Sequence, residues 1–212
     1  MKTRHFPCLL PVCMLLFACG PTASRSSADA VTFDTAERFD DFDFGASGDG
    51  RPGKWSIIDN DAGRGLARTG PEPYNLAFAL YRPFSGSDVY VSTRFLTIPG
   101  KVDQAAGLFV RFRSPDDHYA VRADALENSV TLYRIAAGRR EMIGGMDVNF
   151  SGQARHTLGV AASEDRLTVF FDGKELFVAT DRRFPGPPGK VGLWTQADSM
   201  TLFESLEVSA LH

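Results

Sequence analysis

Period-two alternation is the feature that most restricts this chain. In the run Asp88 to Leu96, Val89, Val91, Thr93 and Phe95 fall on one face, and Tyr90, Ser92 and Arg94 fall on the other. Successive side chains change face only in an extended strand, so the run reads as a strand with one buried side. The pattern recurs. From Gly107 to Arg113, Leu108, Val110 and Phe112 share one side, and Phe109, Arg111 and Arg113 share the other. From His118 to Asp124, Tyr119, Val121 and Ala123 point inward, and His118, Arg122 and Asp124 point outward. Further runs start at Trp55, Asn75, Val130, Lys190 and Thr201. The runs from Arg166 and Lys174 flank Asp172-Gly173, a pair that tolerates the positive φ angles of a tight turn, so they form a hairpin. About a dozen short strands at roughly 8–12-residue spacing, with no long helix, predict an all-β, two-sheet antiparallel jelly-roll sandwich.

The start of the chain has a different character. Lys2, Arg4 and His5 precede an apolar run, Phe6 to Ala18, which is too short and too proline-broken to span a bilayer as a helix. That is the layout of a signal peptide over 1–18. All three cysteines, Cys8, Cys13 and Cys19, lie within the first 19 residues. Leu16-Phe17-Ala18-Cys19 resembles the lipobox of bacterial lipoproteins, although Phe17 is bulkier than the residue usual there. The resemblance implies that Cys19 is lipidated and becomes the mature N-terminus. The alternative is an ordinary secretory signal with a chance cysteine. Either way the body has no thiol, so its core alone must hold the fold, without disulfides or thiolate chemistry. Residues 19–28 are small and polar and read as a tether, leaving 29–212 as one domain. The expected place is outside the cytoplasm, anchored to a bacterial membrane by lipid.

Formal net charge is −3, and loss of Lys2 and Arg4 makes it two units more negative. No basic block is present, which argues against a nucleic-acid partner. Seventeen phenylalanines among scattered polar positions suit a globular β protein.

Three stretches carry a family resemblance: His156 to Ala162 with Arg166 to Lys174; Gly189 to Thr195 with Met200 to Val208; and Gly107 to Arg113 with Asp117 to Arg122. Together they resemble the concanavalin A-like jelly roll. The branch they look most like is the 3-keto-disaccharide hydrolase domain, related to laminarinase-type glycoside hydrolases and laminin G-like modules. The resemblance implies a sandwich with one concave sheet on which carbohydrate is often bound. It does not carry an activity across. The Glu-x-Asp-x-x-Glu string of laminarinase-type enzymes is absent, and the acid that commonly follows the tyrosine in the keto-disaccharide branch is here Ala120.

Hydrolysis of a glycoside requires two carboxylates about 5–10 Å apart. Glu204 and Glu207, three apart, fall on opposite faces of a regular strand, as do Asp124 and Glu127 unless a bulge intervenes. No catalytic residue is therefore assigned, and whether the protein is an enzyme stays open. Carbohydrate binding requires a ring beside hydrogen-bonding groups. Trp194 faces away from Val191, Leu193 and Thr195, so it is either a sugar platform or a ring covered by a loop such as 184–189. Arg111, Arg113, Arg122 and Asp124, with Tyr90 and His118 near, form either a polar ligand surface favouring an acidic sugar or a solvated face of cross-strand ion pairs. Trp55 is expected in the core. Asp40, Asp41, Asp43, Asp59 and Asp61 suggest calcium but lack the Asp-x-Asp-x-Asp-Gly spacing, so no cofactor is assigned. The isolated histidines do not suggest zinc. Three readings remain: a lipoprotein binding a glycan or disaccharide, a glycoside hydrolase-like enzyme acting on a 3-keto-disaccharide, and a structural envelope protein.

Overall fold

Fifteen strands follow one another through the described part of the chain, residues 29–33, 36–48, 50–69, 76–98, 104–182 and 188–212 of a computed structural model. The signal segment, Cys19 and the tether lie outside the described residues. Seven strands form one antiparallel sheet: β2 (Phe42–Ala46), β5 (Leu76–Gly86), β7 (Ala105–Ser114), β8 (Asp117–Asp124), β9 (Ser129–Ala136), β10 (Arg139–Asp147) and β14 (Gly189–Gln196). They run across it in the order β10-β9-β8-β7-β14-β5-β2. The other sheet has eight: β1 (Asp29–Thr32), β3 (Lys54–Asn60), β4 (Gly63–Thr69), β6 (Val89–Ile98), β11 (His156–Ser163), β12 (Arg166–Phe171), β13 (Lys174–Thr180) and β15 (Met200–Ala210). Its order is β13-β12-β11-β6-β15-β4-β3, and β1 also pairs with β15. The one helical segment among the described residues is a short 3₁₀ turn, Ala36–Asp41.

The core lies between the sheets, where the alternation places it. Val89, Val91 and Phe95 of β6 meet Leu108 and Val110 of β7, Tyr119, Val121 and Ala123 of β8, and Val191 and Leu193 of β14. Trp55 is buried there, its ring 6.5 Å from that of Phe203. The expected hairpin is β12–β13. Its turn residues Asp172 and Gly173 have φ angles of 49° and 74°, the left-handed region that a two-residue loop of this kind requires.

Strand β7 departs from the alternation. Its register against β8 shifts between Val110 and Ser114, and Arg111 has a φ of 51°. A bulge inserts an unpaired residue and reverses the faces beyond it. Phe112, expected in the inter-sheet core with Leu108 and Val110, is therefore buried on the opposite, outer face of the seven-stranded sheet. A second shift, between Phe203 and Ser205 of β15, makes Glu204 the extra residue there. Strand β10, whose Gly144-Gly145 pair disrupts any sequence signal, was not among the expected strands.

Candidate functional site

The outer face of the seven-stranded sheet carries its own apolar layer: Phe78, Phe109, Phe112, Ala120, Tyr133, Ile135 and Trp194. Outward positions of a sandwich are normally solvated, so apolar side chains from five adjacent strands on that side, four of them carrying rings, call for an explanation. Glycines give the large rings room to lie flat. A Cβ on Gly107 would sit 2.0 Å from Cε2 of Trp194, and one on Gly45 would sit 2.4 Å from the ring of Phe78. The Trp194 indole stacks on Phe109, with centroids 5.8 Å apart and planes 13° apart, and its Nε1–H donates to the Leu108 carbonyl at 3.3 Å.

Over this layer is a cavity of about 440 Å³, within the usual range for small-molecule sites. Phe78, Phe112, Tyr133 and Trp194 contribute its apolar surface, and Ser47, Asp116, His118, Arg140 and Gln196 contribute the polar groups. The Arg140 guanidinium lies 4.2 Å from the Tyr133 ring centroid, a cation–π arrangement that holds it over the cavity. Among the described residues Arg140 is in no ion pair, and Asp116 is the sole carboxylate lining the cavity. His118 packs edge-on to Phe109 with centroids 4.5 Å apart, and its Nδ1–H donates to the Ser114 carbonyl at 3.0 Å. Burial pushes its pKa down to about 4, so the ring is neutral at pH 7. With Nδ1 committed as a donor, Nε2 is left as an acceptor.

Of the six ligand residues expected from sequence, Trp194 alone lines this cavity. It faces the predicted way, but at 1% exposure it is buried against Phe109 and is no open platform. The 184–189 stretch, its expected cover, lies largely outside the described residues. The Arg111 bulge turns that side chain away from the cavity. Its Nε donates to the Ser87 carbonyl at 2.7 Å, and its Nη2 to the Glu164 carbonyl at 2.7 Å and to Asp88 Oδ1 at 3.2 Å. Arg113 is gripped by both carboxylate oxygens of Asp117, at 2.5 and 2.7 Å. Arg122 lies on the outer face, paired across from Gly107, but it binds Glu127 and lies 3.6 Å from Asp124. Asp124 also caps the following turn, accepting from the backbone N–H groups of Leu126 and Glu127. The turn, rather than a bulge, lets Asp124 and Glu127 reach the same guanidinium. Tyr90 belongs to the other sheet, where its ring packs edge-on to Phe170. The proposed arginine surface for an acidic sugar is thus a set of ion pairs, and Tyr90 is not part of it.

The carboxylate geometry also changes. With Glu204 as the bulge residue, Glu204 and Glu207 line one hollow of about 420 Å³ on the outer face of the eight-stranded sheet, together with Tyr90. Glu204 is held by Arg94 at 3.0 Å and by Arg155 at 2.8 Å. Of the acidic residues considered for calcium, Asp41 pairs with Arg38, Asp59 with Arg64 and Asp43 with Arg82. Among the described residues no three His, Cys, Asp or Glu side chains converge on a common point.

No protein-family model matches the chain, and no curated protein does. Solved structures do. A Bacillus subtilis protein of unknown function with a galectin-like fold superposes with a TM-score of 0.67 at 11% identity, over 90% of this chain and 99% of that one. The fold is a galectin-like jelly roll. The carbohydrate binding module CBM66 from Bacillus subtilis matches the same jelly roll with a TM-score of 0.62 at 20% identity, over 76% of this chain and 91% of that one. The exoplasmic/lumenal domain of VIP36, in its Ca²⁺- and Man3GlcNAc-bound form, matches with a TM-score of 0.58 at 18% identity, over 82% and 84%. At these identities the likeness is one of architecture.

The cavity residues that sequence reasoning missed are Asp116, Tyr133, Arg140, Gln196, Phe78 and Ser47, while His118 was placed near the arginines. One signal was available. Phe109 and Phe112 are three apart, so they share a face only if the strand bulges between them.

Proposed function

We propose that this protein binds carbohydrate in the cavity on the outer face of its seven-stranded sheet. The observation that carries this reading is the combination found there: flat rings backed by a rigid sheet, rimmed by hydrogen-bonding groups. An apolar edge of a sugar ring has partners in Phe78 and Phe112, the Tyr133 ring being covered by Arg140, and its hydroxyls have Asp116, Gln196 and the His118 Nε2. Two of those groups only accept hydrogen bonds, so hydroxyl donors suit the site better than a carboxylate. With Arg140 seated on the Tyr133 ring, a neutral glycan is therefore the ligand class, in place of the acidic sugar that the expected surface of Arg111, Arg113 and Arg122 would have favoured. The jelly-roll neighbours include a carbohydrate binding module and a domain solved with Man3GlcNAc, which supports the same reading.

A glycoside hydrolase-like activity on a 3-keto-disaccharide is the second reading. It draws on Glu204 and Glu207 lining one hollow, with Glu204 as the extra residue of the β15 bulge. The N-terminal pattern supports attachment to a membrane through Cys19, with the domain outside the cytoplasm.

A glycan array and a glycosidase panel that includes 3-keto-glycosides test both readings. Saturable binding without turnover, weakened by Asp116→Ala or Gln196→Ala at unchanged melting temperature, supports the binding module. Turnover abolished by Glu204→Gln or Glu207→Gln supports the hydrolase. Binding that neither cavity variant weakens refutes the proposed site.

A further inference from the structure

The seven-stranded sheet ends on β10, with no further strand hydrogen-bonded beyond it among the described residues. An open edge presents unpaired backbone N–H and C=O groups, and proteins usually blunt it with lysine, proline or a cover. β10 has neither lysine nor proline. It carries Met142 at 66% exposure and Met146 at 43%. Val178, at 37%, lies on β13, the end strand of the other sheet. The two end strands abut: a Cβ on Gly144 of β10 would sit 2.7 Å from the Phe177 ring of β13. Leu126, at 48%, is in the turn beside the C-terminal end of β10, where the Val148 N–H donates to the Asn128 carbonyl at 2.8 Å. Leu126, Met142 and Met146, three of the five large exposed apolar side chains among the described residues, therefore lie on or beside β10, whereas Val178 alternates with Phe177 and Ala179, which face Gly144, and so points away from it. Scattered single exposures are ordinary, but three along one open strand are the mark of an interface.

The charge pattern of β10 selects the occupant. The strand begins Arg139-Arg140 and ends at Asp147, with Glu127 beside that acidic end in the same groove. Arg140 pairs with Ile135 and Asp147 with Ser129, both outward positions of β9, so Arg140 and Asp147 present on the same face. A strand that is basic at one end and acidic at the other is complementary to itself when run antiparallel. Arg140 then meets Asp147 of the partner subunit, and the reverse contact follows by two-fold symmetry, as an isologous interface requires. The register shift at Ile143 confines regular pairing to the two halves of the strand and leaves the charged ends free to meet. We propose that a second copy of this chain docks antiparallel on β10, joining two seven-stranded sheets edge to edge in a two-fold dimer. Such a dimer sets both cavities on one continuous face and lets one molecule engage two sites on a surface.

Sedimentation equilibrium on the purified full-length chain tests this independently of any ligand. The expected result is the mass of two chains, shifting to the mass of one in the double variant Met142→Lys/Met146→Lys, with an unchanged far-UV circular dichroism spectrum. Because lysines on an edge can act through folding, a charge exchange supplies the second arm. Arg140→Asp alone and Asp147→Arg alone should each run as one chain, and their combination should restore two. A single-chain mass for the wild type overturns the proposal. A dimer that survives both the lysine pair and the single charge reversals also overturns it, since the interface then lies elsewhere.

Discussion

Replacing Trp194 by alanine separates the two roles that its position allows. The indole is 1% exposed, lies over Gly107, stacks on Phe109 and donates to the Leu108 carbonyl. Removing a buried ring of this size costs about 3–5 kcal/mol, from lost transfer free energy plus the cavity left behind. The sheet backbone beneath cannot collapse into the space without breaking the β7–β14 ladder, so the upper half of that range is expected. For a chain of this length each kcal/mol moves the melting temperature by roughly 2–4 °C, which gives a fall of roughly 8–20 °C. Urea unfolding followed by circular dichroism reads the free energy, and differential scanning calorimetry reads the midpoint. Gly107→Ala probes the same contact from below. Its Cβ would meet the indole at 2.0 Å, and it should destabilise by at least the usual overpacking cost of about 1–3 kcal/mol. A loss below about 1 kcal/mol for Trp194→Ala, accompanied by weaker glycan binding, would refute the reasoning. The ring would then be an exposed sugar platform, as the alternation alone allowed.

Arg111→Met should cost about 2–6 kcal/mol in urea unfolding and leave glycan affinity unchanged. Two carbonyls, of Ser87 and Glu164, lose their donor at about 1–3 kcal/mol each, and the partly exposed Asp88 adds little. His118 makes stability depend on pH. Its folded pKa of about 4 lies below the ordinary 6.5, so between those values the unfolded chain binds more protons and is favoured. Stability should therefore be full above pH 6.5 and fall as pH drops towards 4, by at most roughly 3 kcal/mol from this group. His118→Asn should flatten that slope relative to wild type, and an unchanged slope would show that the ring is not held neutral by burial. Cys19→Ala should leave an unprocessed or mislocalised precursor. If the variant fractionates with membranes at the wild-type mature mass, lipidation at Cys19 is excluded.

The class of fold is legible in local sequence pattern. Alternation is local, and it marked the strands containing Val89, Leu108, Tyr119 and Leu193 and their buried faces, because a strand with one apolar side has one way to bury it. The Asp172-Gly173 hairpin was equally legible, since its turn chemistry lies within two residues. The cavity was not legible, for two physical reasons. A bulge adds one residue and inverts every face beyond it, so Arg111 and Phe112 exchanged the sides that alternation assigned, and Glu204 joined Glu207. Sheet membership is also non-local. Trp194 reaches its seat on Gly107 only because β14 inserts between β7 and β5, and Tyr90 is carried to the opposite sheet by its pairing with β11 and β15. The ion pairs that neutralise Arg113 and Arg122 close only once the turns after β7 and β8 are formed. Short-range pattern sets which residues can be buried, whereas strand order and bulges decide which of them meet, because those depend on pairings between distant segments.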